Sequence, residues 1–174
     1  MPDPNGEGGA LRAGSDDKGL KRARNTAYRY LTLRPRSTHE VEQKLRDREF
    51  PPAIVTSVID HLLKLGYLDD RAFAAQWAAS RVRTRGFGRR RIEQELRRKG
   101  LDRGLIGETL SGLFEDGSEL AVAQKEAEKK LRVLIRYDPE VRKRRLAGHL
   151  ERKGFSSEII RSILRQTSPS ADTI

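Results

Sequence analysis

Three stretches of this chain carry the same apolar spacing. "VEQKLRDREF" places Val41, Leu45 and Phe50; "IEQELRRKGL" places Ile92, Leu96 and Leu101; "LAGHLERKGF" places Leu146, Leu150 and Phe155. The step is four and then five in every copy. A second apolar stripe follows each: Ile54, Val55, Val58 and Ile59; Leu105, Ile106 and Leu110; Ile159, Ile160, Ile163 and Leu164. Each pair reads as helix, tight turn, helix, and the turn holds Gly100 in the second copy and Gly154 in the third, as helix ends favour. A longer helical stretch precedes each pair, over about 20–33, 70–84 and 119–136. The copies recur at 51 and then 54 residues. A repeat of that length is one supersecondary unit that buries its apolar face against its neighbours. The pattern predicts an all-α fold, an elongated tandem array of three three-helix, helix-turn-helix-like repeats.

The predicted division is a disordered extension over 1–18, repeats over 19–66, 67–116 and 117–166, and a flexible tail over 167–174. Composition agrees with thin cores: 36% of the 174 residues are hydrophobic and 35% charged, against roughly 45–50% and about 25% in an average globular protein. The formal charge of +11 and pI of about 10.3 favour a polyanionic partner. Cysteine is absent, which removes disulfides and thiolate metal sites. No apolar run reaches the roughly 18 residues a membrane span needs, and the start lacks a signal-peptide pattern. The expectation is a cytoplasmic protein with no membrane association. No heptads specify a coiled coil, so a monomer is expected with oligomeric state left open.

Repeats supply their own control, because shared positions account for packing and departures point to function. The middle helix of the first repeat opens on Ser37 with Glu40 three residues on, a capping box. That of the third opens on Asp138 and Pro139, again favourable. The second repeat instead has Gly88 followed by Arg89, Arg90 and Arg91. Cations in a first helical turn oppose the macrodipole, at about 0.3–1 kcal/mol each. Helix stability does not select them; bare N–H groups beside guanidiniums suit an external phosphate or carboxylates. Arg81, Arg83 and Arg85 extend this basic surface on one side, Arg97, Arg98 and Lys99 on the other. The competing reading is a solvated helix face. A secondary basic surface comprises Arg142, Lys143, Arg144 and Arg145, with Glu126, Glu128 and Glu151 available to pair with that region.

Other motifs have structural readings. Phe87, between Gly86 and Gly88, suits a hydrophobic staple with Ile92 better than base stacking. In "GYLDD", Asp69 caps the following helix, while Tyr67 and Leu68 fill a seam between repeats. Phe73 and Trp77, four apart, belong to a helix core. His39, His61 and His149 are scattered, and no P-loop, zinc-protease motif or nucleophile elbow is present. No catalytic, cofactor-binding or metal residues are expected.

"RPRSTHEVEQKL", "LGYLDDRAFAAQW" and "RTRGFGRRRIEQELRRKGL", in this order and spacing, resemble the bacterial RecX family, regulators of the recombinase RecA. The likeness covers roughly residues 20–166. It implies a helical-repeat protein that binds the RecA–DNA filament, in its helical groove, and inhibits filament growth, ATP hydrolysis and strand exchange. That would place it in recombination, DNA repair and the SOS response. Under that resemblance Arg81, Arg83, Arg85, Arg89, Arg90 and Arg91 would contact the recombinase or the DNA within it. The alternatives are a plain nucleic-acid-binding protein that competes for DNA, and a scaffold for another acidic protein.

Overall fold

A computed structural model describes residues 7–167, with side chains from Asp17 onward except that of Asp116. Among the described residues all regular structure is helical, in nine α-helices and one 3-10 turn. The remaining residues at either end, which include parts of the expected extension and tail, lie outside the described residues. The chain forms two compact units that divide between Phe73 and Ala74.

The first unit contains α1 (Glu7–Leu33), α2 (Thr38–Arg46) and α3 (Pro52–Lys64). Helix α1 begins well ahead of residue 19, inside the stretch read as a disordered extension. Its Gly-rich first turns carry no apolar stripe, so periodicity could not mark them. Ala23 and Ala27 on α1 meet Val41 and Leu45 on α2 and Val55, Val58 and Leu62 on α3, all buried. Burying a side chain of the Val or Leu kind contributes about 1.5–3 kcal/mol, so this small set dominates the unit. The capping box forms as expected: Glu40 N–H donates to Ser37 Oγ (3.2 Å) and Ser37 N–H to Glu40 Oε2 (3.3 Å). Leu68 joins the buried core, whereas Tyr67 is 57% exposed and sets its ring edgewise on Tyr28 at 5.3 Å. Asp69 caps the next helix, accepting from Ala72 N–H at 2.9 Å. Asp70 accepts from Thr38 N–H at 2.8 Å, a tie the sequence did not announce.

Helix α4 (Asp70–Arg85) runs across the division. The second unit continues with α5 (Arg89–Arg98), α6 (Arg103–Leu113), a 3-10 turn (Glu115–Gly117), α7 (Ser118–Leu134), α8 (Pro139–Lys153) and α9 (Ser157–Thr167). Its buried residues include Ala78 on α4, Ile92 and Leu96 on α5, and Ile106 and Leu110 on α6. The third repeat closes over Ala123, Ala127 and Leu134 from α7, Leu146 and Leu150 from α8, Phe155, and Ile163 from α9. The apolar positions shared by the three copies are thus the buried ones, except for Phe50, which is half-buried. Asp138 caps α8 through Glu140 N–H (2.9 Å), with Pro139 at its first position. Gly100 and Gly154 take left-handed backbone, φ +77° and +90°, where α5 and α8 end. The matching position of the first copy is Glu49, at φ +59° without being glycine.

Candidate interaction surface

The arginine-rich stretch is best read from the N-terminus of α5 outward. Gly88 is its N-cap and provides no side-chain cap. The N–H groups there are nevertheless occupied, from the third repeat. Gly88 N–H donates to the Lys153 carbonyl (2.9 Å) and Arg90 N–H to the Gly154 carbonyl (3.1 Å). Arg89 N–H donates to Glu119 Oε1 at 2.8 Å. The anion that a helix N-terminus attracts is therefore a carboxylate of this chain, and the expectation of bare N–H groups awaiting an outside ligand is corrected. The close approach explains the glycines. A Cβ on Gly88 would lie 2.6 Å from Phe155 Cδ1 and 2.8 Å from the Gly154 carbonyl oxygen. One on Gly86 would overlap Glu126, and one on Gly154 the backbone of Arg91.

Glu126 completes this seam. It is 7% exposed and accepts from Lys129 (2.8 Å) and Lys153 (3.0 Å). Lys153 also donates to the Arg85 carbonyl and stands over the Phe87 ring at 5.6 Å. Burial pushes the Glu126 carboxyl up, but hydrogen bonds and charge from Lys129 and Lys153 outweigh it and hold the group below the ordinary carboxylate value. His149 is held below its ordinary value by burial and by the charges of Lys153, Lys130 and Arg152, with Glu126 opposing. Phe87 also lies under the Arg91 guanidinium, at 5.5 Å.

The arginines now separate into two groups. Arg81 bonds Glu95 at 2.6 Å and lies 4.0 Å over the Trp77 ring, whose indole N–H donates to the same Glu95 oxygen at 3.0 Å. Lys99 covers Trp77 at 4.8 Å. Arg89 donates to the Leu110 carbonyl (3.1 Å) and stands over Phe114 (5.8 Å). Arg91 approaches Glu95 at 3.9 Å, and Arg97 pairs with Glu93. These four arginines and Lys99 are held by the fold. Arg83, Arg85, Arg90 and Arg98 are exposed, and their side chains have no ion pair or hydrogen bond among the described residues. On α5, Arg90, Gln94, Arg97 and Arg98 share one exposed face at helical spacing.

The secondary basic surface divides likewise. Arg142 donates to the carbonyls of Tyr137 (3.2 Å) and Ile135 (3.4 Å). Arg145 lies 4.1 Å over the Tyr137 ring. A hydrogen bond from Arg136, with the charges of Arg145 and Arg136, keeps the Tyr137 phenol below its ordinary value. Lys143 and Arg144 are exposed and unpaired among the described residues. Glu119 escaped sequence reasoning, since one acid opening a helix carries no sign of its partner. Its only signal was position, in the first turn of α7.

Among the described residues no three of His, Cys, Asp and Glu gather as a metal-binding group, and no helix is long and apolar enough to cross a membrane. Comparison with known proteins bears on the family and the fold. Residues 23–62, 69–110 and 118–164 match the family patterns described as the first, second and third three-helix domains of RecX. The chain is 35% identical over 166 residues to the regulatory protein RecX of Streptomyces coelicolor, covering 92% of this chain and 88% of that one. It is 38% identical over 149 residues to the regulatory protein RecX of Mycolicibacterium vanbaalenii, covering 80% of each. The crystal structure of RecX from Lactobacillus salivarius superposes with a TM-score of 0.76 at 25% identity, over 86% of this chain and 97% of that one. This chain, all-helical and built of three three-helix domains, belongs to the RecX family of regulatory proteins.

Proposed function

We propose that this chain is a negative modulator of RecA. It binds the RecA–DNA filament in its helical groove and inhibits filament extension, ATP hydrolysis and strand exchange, so restraining recombination, DNA repair and the SOS response. Family membership supports the partner. The observation that carries the site is the set of exposed, unpaired cations Arg83, Arg85, Arg90 and Arg98 beside arginines the fold already uses. Guanidiniums left in water at this density suit phosphates or carboxylates, which they bind in pairs of parallel hydrogen bonds. Lys143 and Arg144 offer a weaker second contact, and weak contacts on one chain add through effective concentration. The mechanism is steric and electrostatic, with no covalent step. It needs no catalytic residue or cofactor of this chain.

The net charge of +11 favours one rival, competition for DNA alone. Titrating this chain into single-stranded-DNA-dependent ATP hydrolysis by RecA, far below one molecule per recombinase and with DNA in excess, separates the two. Filament regulation predicts inhibition at those ratios. Inhibition only near DNA saturation, abolished by spare DNA or salt, would establish the rival, because six to ten phosphate contacts lose about 10³–10⁵ in affinity between 50 and 200 mM salt.

A further inference from the structure

We propose that the outer face of α1 and α3 in the first unit is a separate nucleic-acid-backbone site, which seats a phosphodiester in a groove between Arg24, Thr56, Ser57, His61 and Lys64. This surface is distinct from the arginines of α4 and α5 and does not depend on their role. The groove has a volume of about 420 Å³, and Ala53 and Asp60 complete its lining.

Two observations point to phosphate. Thr56 and Ser57 bring hydroxyls beside the cations Arg24 and Lys64, and this mixture of donors is the one that contacts phosphate backbones. Finally, α1 from Lys18 to Leu33 holds Lys18, Lys21, Arg22, Arg24 and Arg29 and no acid. Lys18, Lys21, Arg22 and Arg29 are exposed. At 1.5 Å per residue these reach along about 16 Å of helix, several times the roughly 3.4 Å between successive charges on one DNA strand. A row of cations with no acid along it fits a linear polyanion of uniform charge. A folded acidic protein presents mixed charge, for which opposing acids along the row would give selectivity.

One lining residue works against the site, and it gives the proposal a sign. Asp60 is exposed and has no ion pair or hydrogen bond among the described residues. Its carboxylate repels a seated phosphate, so neutralising it must strengthen binding. His61 provides a local reporter: its Nε2 lies 3.2 Å from the Tyr28 hydroxyl, at the groove wall.

The test is fluorescence anisotropy of a short labelled oligothymidylate with the full chain, at several salt concentrations. R24Q/K64Q should bind about three- to tenfold more weakly, as the loss of one half-buried and one exposed charge contact allows. Its slope of log affinity against log salt should fall by about 0.7 per lost contact. D60N should bind more tightly than the parent. In proton NMR the ring signals of His61 should move with oligothymidylate while those of His39 and His149 stay. Unchanged affinity and slope in R24Q/K64Q, with D60N neutral, would overturn the site. So would an equal His61 response to inorganic phosphate at matched phosphate concentration, since that describes a pocket for single anions. Because D60N keeps the cations and the groove, it decides the matter even if R24Q/K64Q folds poorly. The variant R83Q/R90Q/R98Q, run in parallel, reports on the second-unit surface, so failure of either site is read independently.

Discussion

Glu49 shows what one residue does in this fold. It occupies the left-handed turn position that Gly100 and Gly154 fill in the other copies, at φ +59°. Left-handed backbone costs a residue with a Cβ about 1–2 kcal/mol, while glycine adds unfolded-state entropy worth roughly 0.5–1 kcal/mol. E49G should therefore raise stability by about 0.5–1 kcal/mol in urea denaturation, and a loss of stability would show that the Glu49 side chain makes up the strain. Conversely, G88A should cost more than about 2 kcal/mol, because its Cβ meets the Gly154 carbonyl, which cannot retreat without breaking its bond to Arg90. Two groups, His149 and Glu126, give a signed pH profile. Both have folded values below their ordinary ones, 6.5 for His149 and 4.5 for Glu126. Each contributes stability that is complete above the ordinary value and lost as pH falls through the depressed one. Stability should thus decline in two steps on acidification, the first below about pH 6.5 and the second below about pH 4.5. E126Q should remove the second step and lower stability near neutral pH by about 1–2 kcal/mol. A second step that persists in E126Q would assign it to another carboxylate.

At the scale of elements, the sequence announced the helices and could not announce their docking. Apolar spacing, Ser37 with Glu40, Asp138 with Pro139, and the glycines at 100 and 154 are local signals, and each marks the element it belongs to. The start of α1 at Glu7 was invisible because its first turns lack an apolar stripe. The N-terminus of α5 was legible as anomalous, yet its explanation lies thirty residues away in Glu119 and more than sixty away in Lys153 and Gly154. Nothing local links those positions. The "RGFGRRR" stretch therefore does two jobs: Gly86, Phe87, Gly88, Arg89 and Arg91 join the second repeat to the third, while Arg90 faces outward. An alanine scan across 89–91 as a block would mix both effects. E119Q should loosen the α5 N-terminus by about 0.5–2 kcal/mol, as loss of a charged cap does, read as faster amide exchange at Arg89. Exchange unchanged from the parent would mean that the Glu119 charge contributes nothing there.

For the whole molecule, three copies of one helical unit do not make three equal bodies. The second and third repeats share one compact unit through the backbone seam at Gly88 and Gly154, and the first repeat lies in the other. Periodicity revealed the copies but not this grouping, which rests on backbone bonds and one carboxylate between positions far apart in sequence. Within the second unit the fold engages Arg81, Arg89 and Arg91 and leaves Arg83, Arg90 and Arg98 in water, and the proposed role in RecA regulation rests on that contrast. RecA inhibition by R83Q/R90Q/R98Q tests this most directly, as single-stranded-DNA-dependent ATP hydrolysis titrated beside the parent, with helicity and denaturation midpoint measured on the same samples. The account predicts that about ten- to a hundredfold more of the variant is needed for equal inhibition, at about 0.5–1 kcal/mol per exposed contact, with folding unchanged. Full inhibition by this variant, or an equal loss that tracks unfolding, would contradict it.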